Sequence, residues 1–241
     1  MWKTLRRTSG FPTFQQPLRR RVALFSTIKR PCFRLSKCRV EDQTGPLFDC
    51  QLALFSFDKN IGGYSGTNAT CLAYSSSNNS CTLFKAGAND GLKSLLRFDL
   101  AAIPTGKTVD EATLRLYYKG RSNSNDLTVG AYRLLAPWVD SQATWTQRMT
   151  GINWVVPGLG SGSDYAAAGG GASAVLGDGG SWVEIDVTEM AQAWVNNPTQ
   201  NYGLLLRQAS AAGYVIYDFC SERGVSPCAA AQAPQLTVWY R

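Results

Sequence analysis

The chain predicts an all-β fold, an antiparallel β-sandwich of the jelly-roll kind with one short helix, and three observations carry that prediction. Apolar and polar residues alternate with a period of two in run after run. Short clusters of Gly, Ser, Asn and Pro separate these runs. A single stretch shows helical periodicity, so strands do not alternate with helices as they would around a parallel sheet.

The clearest pair of strands lies at 95–100 and 112–118. In LLRFDL, Leu96, Phe98 and Leu100 alternate with Leu95, Arg97 and Asp99. In ATLRLYY, Ala112, Leu114, Leu116 and Tyr118 alternate with Thr113, Arg115 and Tyr117, and Lys119 continues the polar set. Pro104-Thr105-Gly106 between them is turn chemistry. Residues 70–73 and 81–84 read as short strands around the polar turn 75–80, and LTVGAYRL at 127–134 as a further strand. The segment 136–148 reads as compact and irregular, and 157–180, rich in Gly, Ala and Ser, as a long loop. WVEIDV at 182–187 is an alternating strand that runs into the helix. There Asp186 and Glu189 resemble a capping box, and Val187, Met190, Ala191, Trp194 and Val195 recur at helical spacing. Asn196-Asn197-Pro198 ends it, and strands at 202–207, 214–219 and 235–240 complete the set.

The net charge of +7 is unevenly placed. Residues 1–40 hold 11 of the 24 Lys and Arg and no Asp or Glu, which leaves 13 basic against 17 acidic residues in 41–241. The region 1–47 therefore reads as a basic, disordered or non-native extension outside the fold, and 48–241 as one domain. The acidic balance of that domain argues against nucleic acid as a partner. No apolar run approaches the ~18 residues of a membrane-spanning helix. The chain has no histidine, which excludes Ser-His-Asp and Cys-His catalysis and the usual His-containing zinc sites.

Seven cysteines stand at 32, 38, 50, 71, 81, 220 and 228, and none forms a CxxC pair. Cys71 with Cys81 and Cys220 with Cys228 each flank a short polar loop. These are disulfide candidates in a secreted domain, against the alternative of a metal or redox site. Spacing alone does not fix the connectivity.

Five segments in order, LLRFDL, IPTGKTVDEATLRLYY, PWVDSQATWTQR, WVEIDVTEMAQAWVNNPTQNYGLLLR and CSERGVSPCAAAQAPQLTVWY, carry a family resemblance over residues 64–241. The chain resembles the DNRLRE domain, also described as carbohydrate-binding module family 96 and as disaggregatase-related. The resemblance implies a β-sandwich accessory module of large extracellular or cell-surface proteins. Its implied partner is polysaccharide, acidic and uronic-acid-rich in characterised members, beside other domains of a longer parent. The cysteine pairs and the basic N-terminus depart from the family pattern.

Candidate site residues follow from polar-face positions. Arg97, Arg115 and Arg207 would line one face if their strands share a sheet, with Lys119, Arg121 and Arg148 extending the strip. A guanidinium pairs bidentately with a carboxylate, which suits a uronic-acid polymer. The competing reading is cross-strand pairing with Asp99, Glu184 or Asp186. Trp154, Tyr165 and Tyr117 are the better candidates for stacking on sugar rings, whereas Trp138, Trp145, Trp194 and Trp239 read as core. Glu184, Asp186 and Glu189 cluster at one junction, where helix capping competes with a glycosidase carboxylate pair. Asp218 and Glu222 are weak candidates for a structural Ca²⁺ site, and no other cofactor is expected. Asn68-Ala69-Thr70 and Asn78-Asn79-Ser80 match glycosylation sequons near expected turns. The leading function is a non-catalytic carbohydrate-binding module. The rivals are a structural or adhesive module and, behind both, a lyase or hydrolase using Tyr or carboxylates.

Overall fold

The structure, a computed structural model of the 241-residue chain, describes residues 53–58, 65–74, 81–175, 177–223 and 226–241. The extension 1–47, Cys32, Cys38, Cys50 and the second sequon lie outside the described residues. In chain order the strands are β1 (Ala53–Asp58), β2 (Thr67–Ala73), β3 (Leu83–Gly87), β4 (Leu92–Phe98), β5 (Val109–Arg121), β6 (Leu127–Arg133), β7 (Gln147–Met149), β8 (Ile152–Asn153), β9 (Gly171–Val175), β10 (Ser181–Asp186), β11 (Leu204–Ala211), β12 (Ile216–Cys220) and β13 (Gln235–Tyr240). The helix α1 spans Thr188–Asn196, between β10 and β11.

The strand pairs are antiparallel throughout, as expected, and they form two layers joined at a corner. One layer runs β1-β13-β5-β10 and the other β2-β4-β11-β6-β9. The corner is β5, whose 13 residues alternate Ala112, Leu114, Leu116 and Tyr118 inward. Its first half pairs with β13, and its last residues pair with β12 across a register shift at Asp218/Phe219. From β12 the ladder passes through β3 to β4, so the layers form one continuous sheet. Its ends nearly meet, because Gly171 on β9 lies so close to the Asp186 carbonyl on β10 that a Cβ would collide with it. The result is a sandwich with barrel-like closure.

Two apolar clusters hold the layers. The first fills the interior with Leu96, Phe98, Leu114, Leu116, Leu204, Tyr217, Phe219 and Leu236, and α1 closes one end through Met190, Ala191, Trp194 and Val195. That is the helical stripe the spacing predicts. Asp186 differs from expectation. Val187 occupies the N-cap position, and Asp186, one residue earlier, accepts hydrogen bonds from the Thr188 amide and hydroxyl at 2.9 and 2.6 Å. The second cluster lies outside the β4–β11 sheet. Leu72, Leu95 and Leu205 point away from the interior there and are covered by Leu134, Trp138, Ala143, Trp154, Leu159 and Tyr165. The segment after β6 is therefore a folded flap, not an open loop.

Four other features depart from the sequence reading. The sequence reading leaves out β1, although its Phe55, Ser56, Phe57 and Asp58 alternate, and the β7–β8 hairpin, whose strands are too short to show a period, and β9 lies inside the Gly/Ala-rich stretch expected as loop. Asn68 sits within β2 opposite Arg97, not at a turn. Both expected disulfides form, Cys71–Cys81 and Cys220–Cys228, each with Cα atoms 5.7 Å apart. No helix of the described residues is long and apolar enough to cross a membrane.

Candidate functional site

The three strand arginines do not share a face, which corrects the arginine-lined strip. Arg115 lies on the outer face of the β10-β5-β13 layer, between Glu184 and Gln235 in register. Its Nε is 2.9 Å from Glu184 Oε1 but off the N–H axis, so this is a charge pair and not a directed hydrogen bond. Nη1 donates to Gln235 Oε1 at 3.1 Å, and the guanidinium lies 4.7 Å over the Trp182 ring. Tyr117 meets the same ring edge-on, with centroids 5.3 Å apart. Lys119 is exposed at the end of this row. Arg121 is consumed by Asp178, which accepts from Nε and Nη2 at 3.1 and 2.7 Å, with Asp126 at 3.3 Å from Nη1. These hydrogen bonds to Asp178 raise its pKa further above the ordinary arginine value.

Arg97 and Arg207 lie on the outer face of the other layer, roughly 13 Å apart at strand spacing. Arg97 stacks over Trp138 at 5.8 Å. Arg148 lies on the flap and donates to the Pro137 carbonyl at 2.8 Å. Arg207 forms the fork the sequence anticipates, but with an internal carboxylate: Nε and Nη2 donate to Asp90 Oδ1 and Oδ2 at 2.9 and 2.6 Å. Nη1 donates to the Tyr165 hydroxyl, and the rings of Tyr132 and Tyr165 stand 5.9 and 5.5 Å away. Burial works against the Arg207 charge, yet hydrogen bonds and attraction to Asp90 outweigh it and hold its pKa above the ordinary value.

Trp154 and Tyr165, expected as open stacking residues, are buried at 3 % and 4 % exposure. Their loop folds on a carboxylate that the sequence reading did not single out. Asp164, 1 % exposed, accepts from the Val155, Val156 and Gly160 amides at 2.8, 3.0 and 2.8 Å. That triple acceptor turns the chain inward and carries both rings with it. Trp138 and Trp194 are buried as expected, with the Trp138 indole donating to the Tyr202 carbonyl at 2.7 Å, while Trp239 is half-buried. Glu184 and Asp186 belong to the ion pair and turn described above. Asp218 pairs with Lys85 at 2.5 Å, and Glu222 lies 3.7 Å from Arg223. Among the described residues no group of three or more Cys, Asp or Glu is placed to hold a metal ion.

The structure instead gathers a groove of about 560 Å³ at the β3–β4 turn. Its floor is that turn, where Ala88, Asn89 and Asp90 all take positive φ, at 53°, 53° and 67°. Such conformations cost free energy in non-glycine residues, and they cluster at functional positions. Gly87 precedes them at φ 122°, where a Cβ would strike the Val215 carbonyl. The turn is docked from both sides: the Ala88 amide donates to the Val215 carbonyl at 2.7 Å, and the Tyr74 amide to the Gly91 carbonyl at 3.0 Å. Tyr74 and Tyr214 form the rims, 76 % and 54 % exposed, and Trp145 forms the back wall edge-on to Tyr74 at 5.6 Å. The amides of Asn123 and Asn125 fix the Tyr214 carbonyl at 2.8 and 3.1 Å. Lys93 lies beneath, ion-paired with Asp90 at 3.0 Å and donating to the Gly158 carbonyl at 2.5 Å, 5.0 Å from the Trp145 ring centre. Burial pulls its pKa below the ordinary lysine value, against the attraction of Asp90.

Sequence reasoning missed the rims. Tyr74 lies between the strand read at 70–73 and a Ser-rich turn, and Tyr214 reads as the first residue of a strand. Only pairing across 140 residues of chain brings them to one turn.

Fold and groove together define an antiparallel β-sandwich domain with an aromatic-rimmed surface cleft. A model of the disaggregatase related repeat domain matches residues 74–238, about two-thirds of the chain, and the chain belongs to that family. No curated protein matches the sequence.

Proposed function

We propose that the domain is a non-catalytic carbohydrate-binding module of an extracellular protein, and that the groove between Tyr74 and Tyr214 is its binding site. The observation that carries this reading is a pair of exposed tyrosines flanking a polar, conformationally strained turn backed by Trp145. Aromatic faces pack against the apolar faces of pyranose rings, while Asn89 and Asp90 offer hydrogen-bond partners to ring hydroxyls. Asp90 is the single carboxylate among the described lining residues and is held by Arg207 and Lys93, so the groove lacks the second carboxylate that glycoside hydrolysis uses. The resemblance to carbohydrate-binding module family 96 supports the same class. The two disulfides fit an oxidising compartment.

Retention of the folded protein on polysaccharide-containing gels tests this. Tyr74→Ala and Tyr214→Ala are each expected to weaken retention about tenfold, the loss of one stacking contact worth about 1.4 kcal/mol. Both side chains are largely exposed, so the unfolding midpoint should not move. Failure of the wild-type domain to bind any glycan would sink the proposal. A structural or adhesive role is the second reading. The observation favouring it is the β10-β5-β13 outer face, where Arg115 is already engaged by the charge of Glu184 and by Gln235 and which suits packing against a neighbouring domain.

A further inference from the structure

We infer that the groove selects neutral sugars and discriminates against uronic acids, with Asp90 as the specificity-determining residue. The inference rests on the binding reading above. It departs from the acidic partner that the family resemblance implies.

The disposition of charge around Asp90 sets this preference. A site for a carboxylated sugar must offer a cation whose donors are free to meet the carboxylate. Lys93 is the one cation among the groove's described lining residues, and it is 4 % exposed. It is ion-paired with Asp90 Oδ2 at 3.0 Å, donates to the Gly158 carbonyl, and lies 5.0 Å from the centre of the Trp145 ring. Arg207, the second cation near the turn, spends its fork on the two Asp90 oxygens and a further donor on Tyr165. The trio carries one surplus positive charge, but that charge is spread over two groups lodged against the rings of Trp145, Tyr132 and Tyr165.

What the groove presents is therefore a carboxylate edge. The Asp90 side chain is 26 % exposed. Its Oδ2 is shared between Arg207 and Lys93, whereas Oδ1 takes Arg207 alone and keeps acceptor capacity. A sugar hydroxyl donates to that oxygen. A uronate carboxylate in the same place meets like charge and finds no free cation among the described lining residues. The exposed Asn89 carboxamide beside it offers a donor and an acceptor, again suited to hydroxyls.

The test compares polyuronates of gluco, galacto and manno configuration with the same polymers after reduction of their carboxyl groups to primary alcohols. Retention is measured for the full chain and for the Tyr74→Ala/Tyr214→Ala variant. The difference between the two proteins is the groove's own share, free of any contribution from the basic residues 1–40. The expected result is groove-dependent retention at least about tenfold stronger for a reduced polymer than for its parent. Equal or stronger groove-dependent retention of a parent polyuronate would overturn the inference while leaving the binding reading intact. If neither reduced polymers nor a panel of natural neutral ones show groove-dependent retention, the binding reading fails and takes this inference with it. Asp90→Asn, which keeps a residue tolerant of positive φ, is expected to raise retention of polyuronates about tenfold as Lys93 and Arg207 lose their counter-charge. A folded Asp90→Asn protein with unchanged selectivity would remove Asp90 from the specificity role.

Discussion

Asp164 shows how one side chain decides where a whole segment goes. Its carboxylate is buried and accepts from three amides of the chain between Val155 and Gly160. Charge-assisted bonds of this kind are each stronger than a neutral pair, and deleting the acceptor leaves buried donors unsatisfied. Asp164→Ala is therefore expected to lower stability by about 3 kcal/mol in urea unfolding. It should also free Trp154, whose indole otherwise donates to the Thr144 carbonyl at 3.0 Å, and so redden tryptophan emission. The same residue explains why Trp154 and Tyr165 misled the sequence reading. An aromatic in a Gly-rich, polar stretch looks open until the acid beside Tyr165, ten residues on from Trp154, is known to turn inward. Arg207 teaches a related lesson. Its position on a polar strand face is legible, but its partner is Asp90, in the β3–β4 turn and 117 residues distant.

Among the elements, legibility follows periodicity. β5, β6, β10, β13 and the stripe of α1 are visible because each buries one face and exposes the other, so period and burial agree. β4 and β11 are flanked on both faces, by the interior and by the flap, and LLRFDL and YGLLLR carry correspondingly more apolar residues than simple alternation requires. β9 has no such signal: Gly171–Val175 is held by its pairing with β6, not by its own pattern. The groove is assembled from the β3–β4 turn, the end of β2 and the start of the β12 segment, so local sequence carried little of it. Here the Cys71–Cys81 disulfide has a definite task. It joins β2 to the approach to β3 across a sequence separation of 10 and holds the chain three residues before Tyr74. Replacing both cysteines by serine is expected to cost about 2–3 kcal/mol of stability through the freed loop. It should also weaken glycan retention at temperatures where the domain remains folded, because the Tyr74 rim loses its tether.

At the scale of the whole molecule, the absence of histidine leaves stability nearly flat around neutral pH and moves the interesting titrations to the alkaline side. Tyr118, fully buried at the β5 corner, has its hydroxyl pKa raised from 10.0 to about 12 by burial and then by Tyr217. The folded state keeps that proton where the unfolded chain has lost it. Its contribution is therefore complete below pH 10 and disappears as pH climbs from 10 towards 12. Tyr240, raised by burial, acts in the same direction. Lys93 acts oppositely: its pKa is lowered, so the unfolded chain holds more protons and stability rises with pH as the ordinary lysine value of 10.5 is approached. Denaturant titrations between pH 9 and pH 12 should show the Tyr118→Phe variant losing less stability than wild type above pH 10.

The flap has one more consequence, expressed in time. Because it lays a second apolar cluster on the outside of β4 and β11, solvent reaches the hydrogen bonds between those strands only after one of two cores has opened. The ladder between β13 and β5 has a core on one side and water on the other. In deuterium exchange, the amides of Leu95 and Leu205, paired across β4 and β11, should outlast those of Thr113 and Thr237, paired across β5 and β13. The slower of the two clocks then runs in the sheet that carries Arg207, whose β4 also supplies Lys93 beneath the groove.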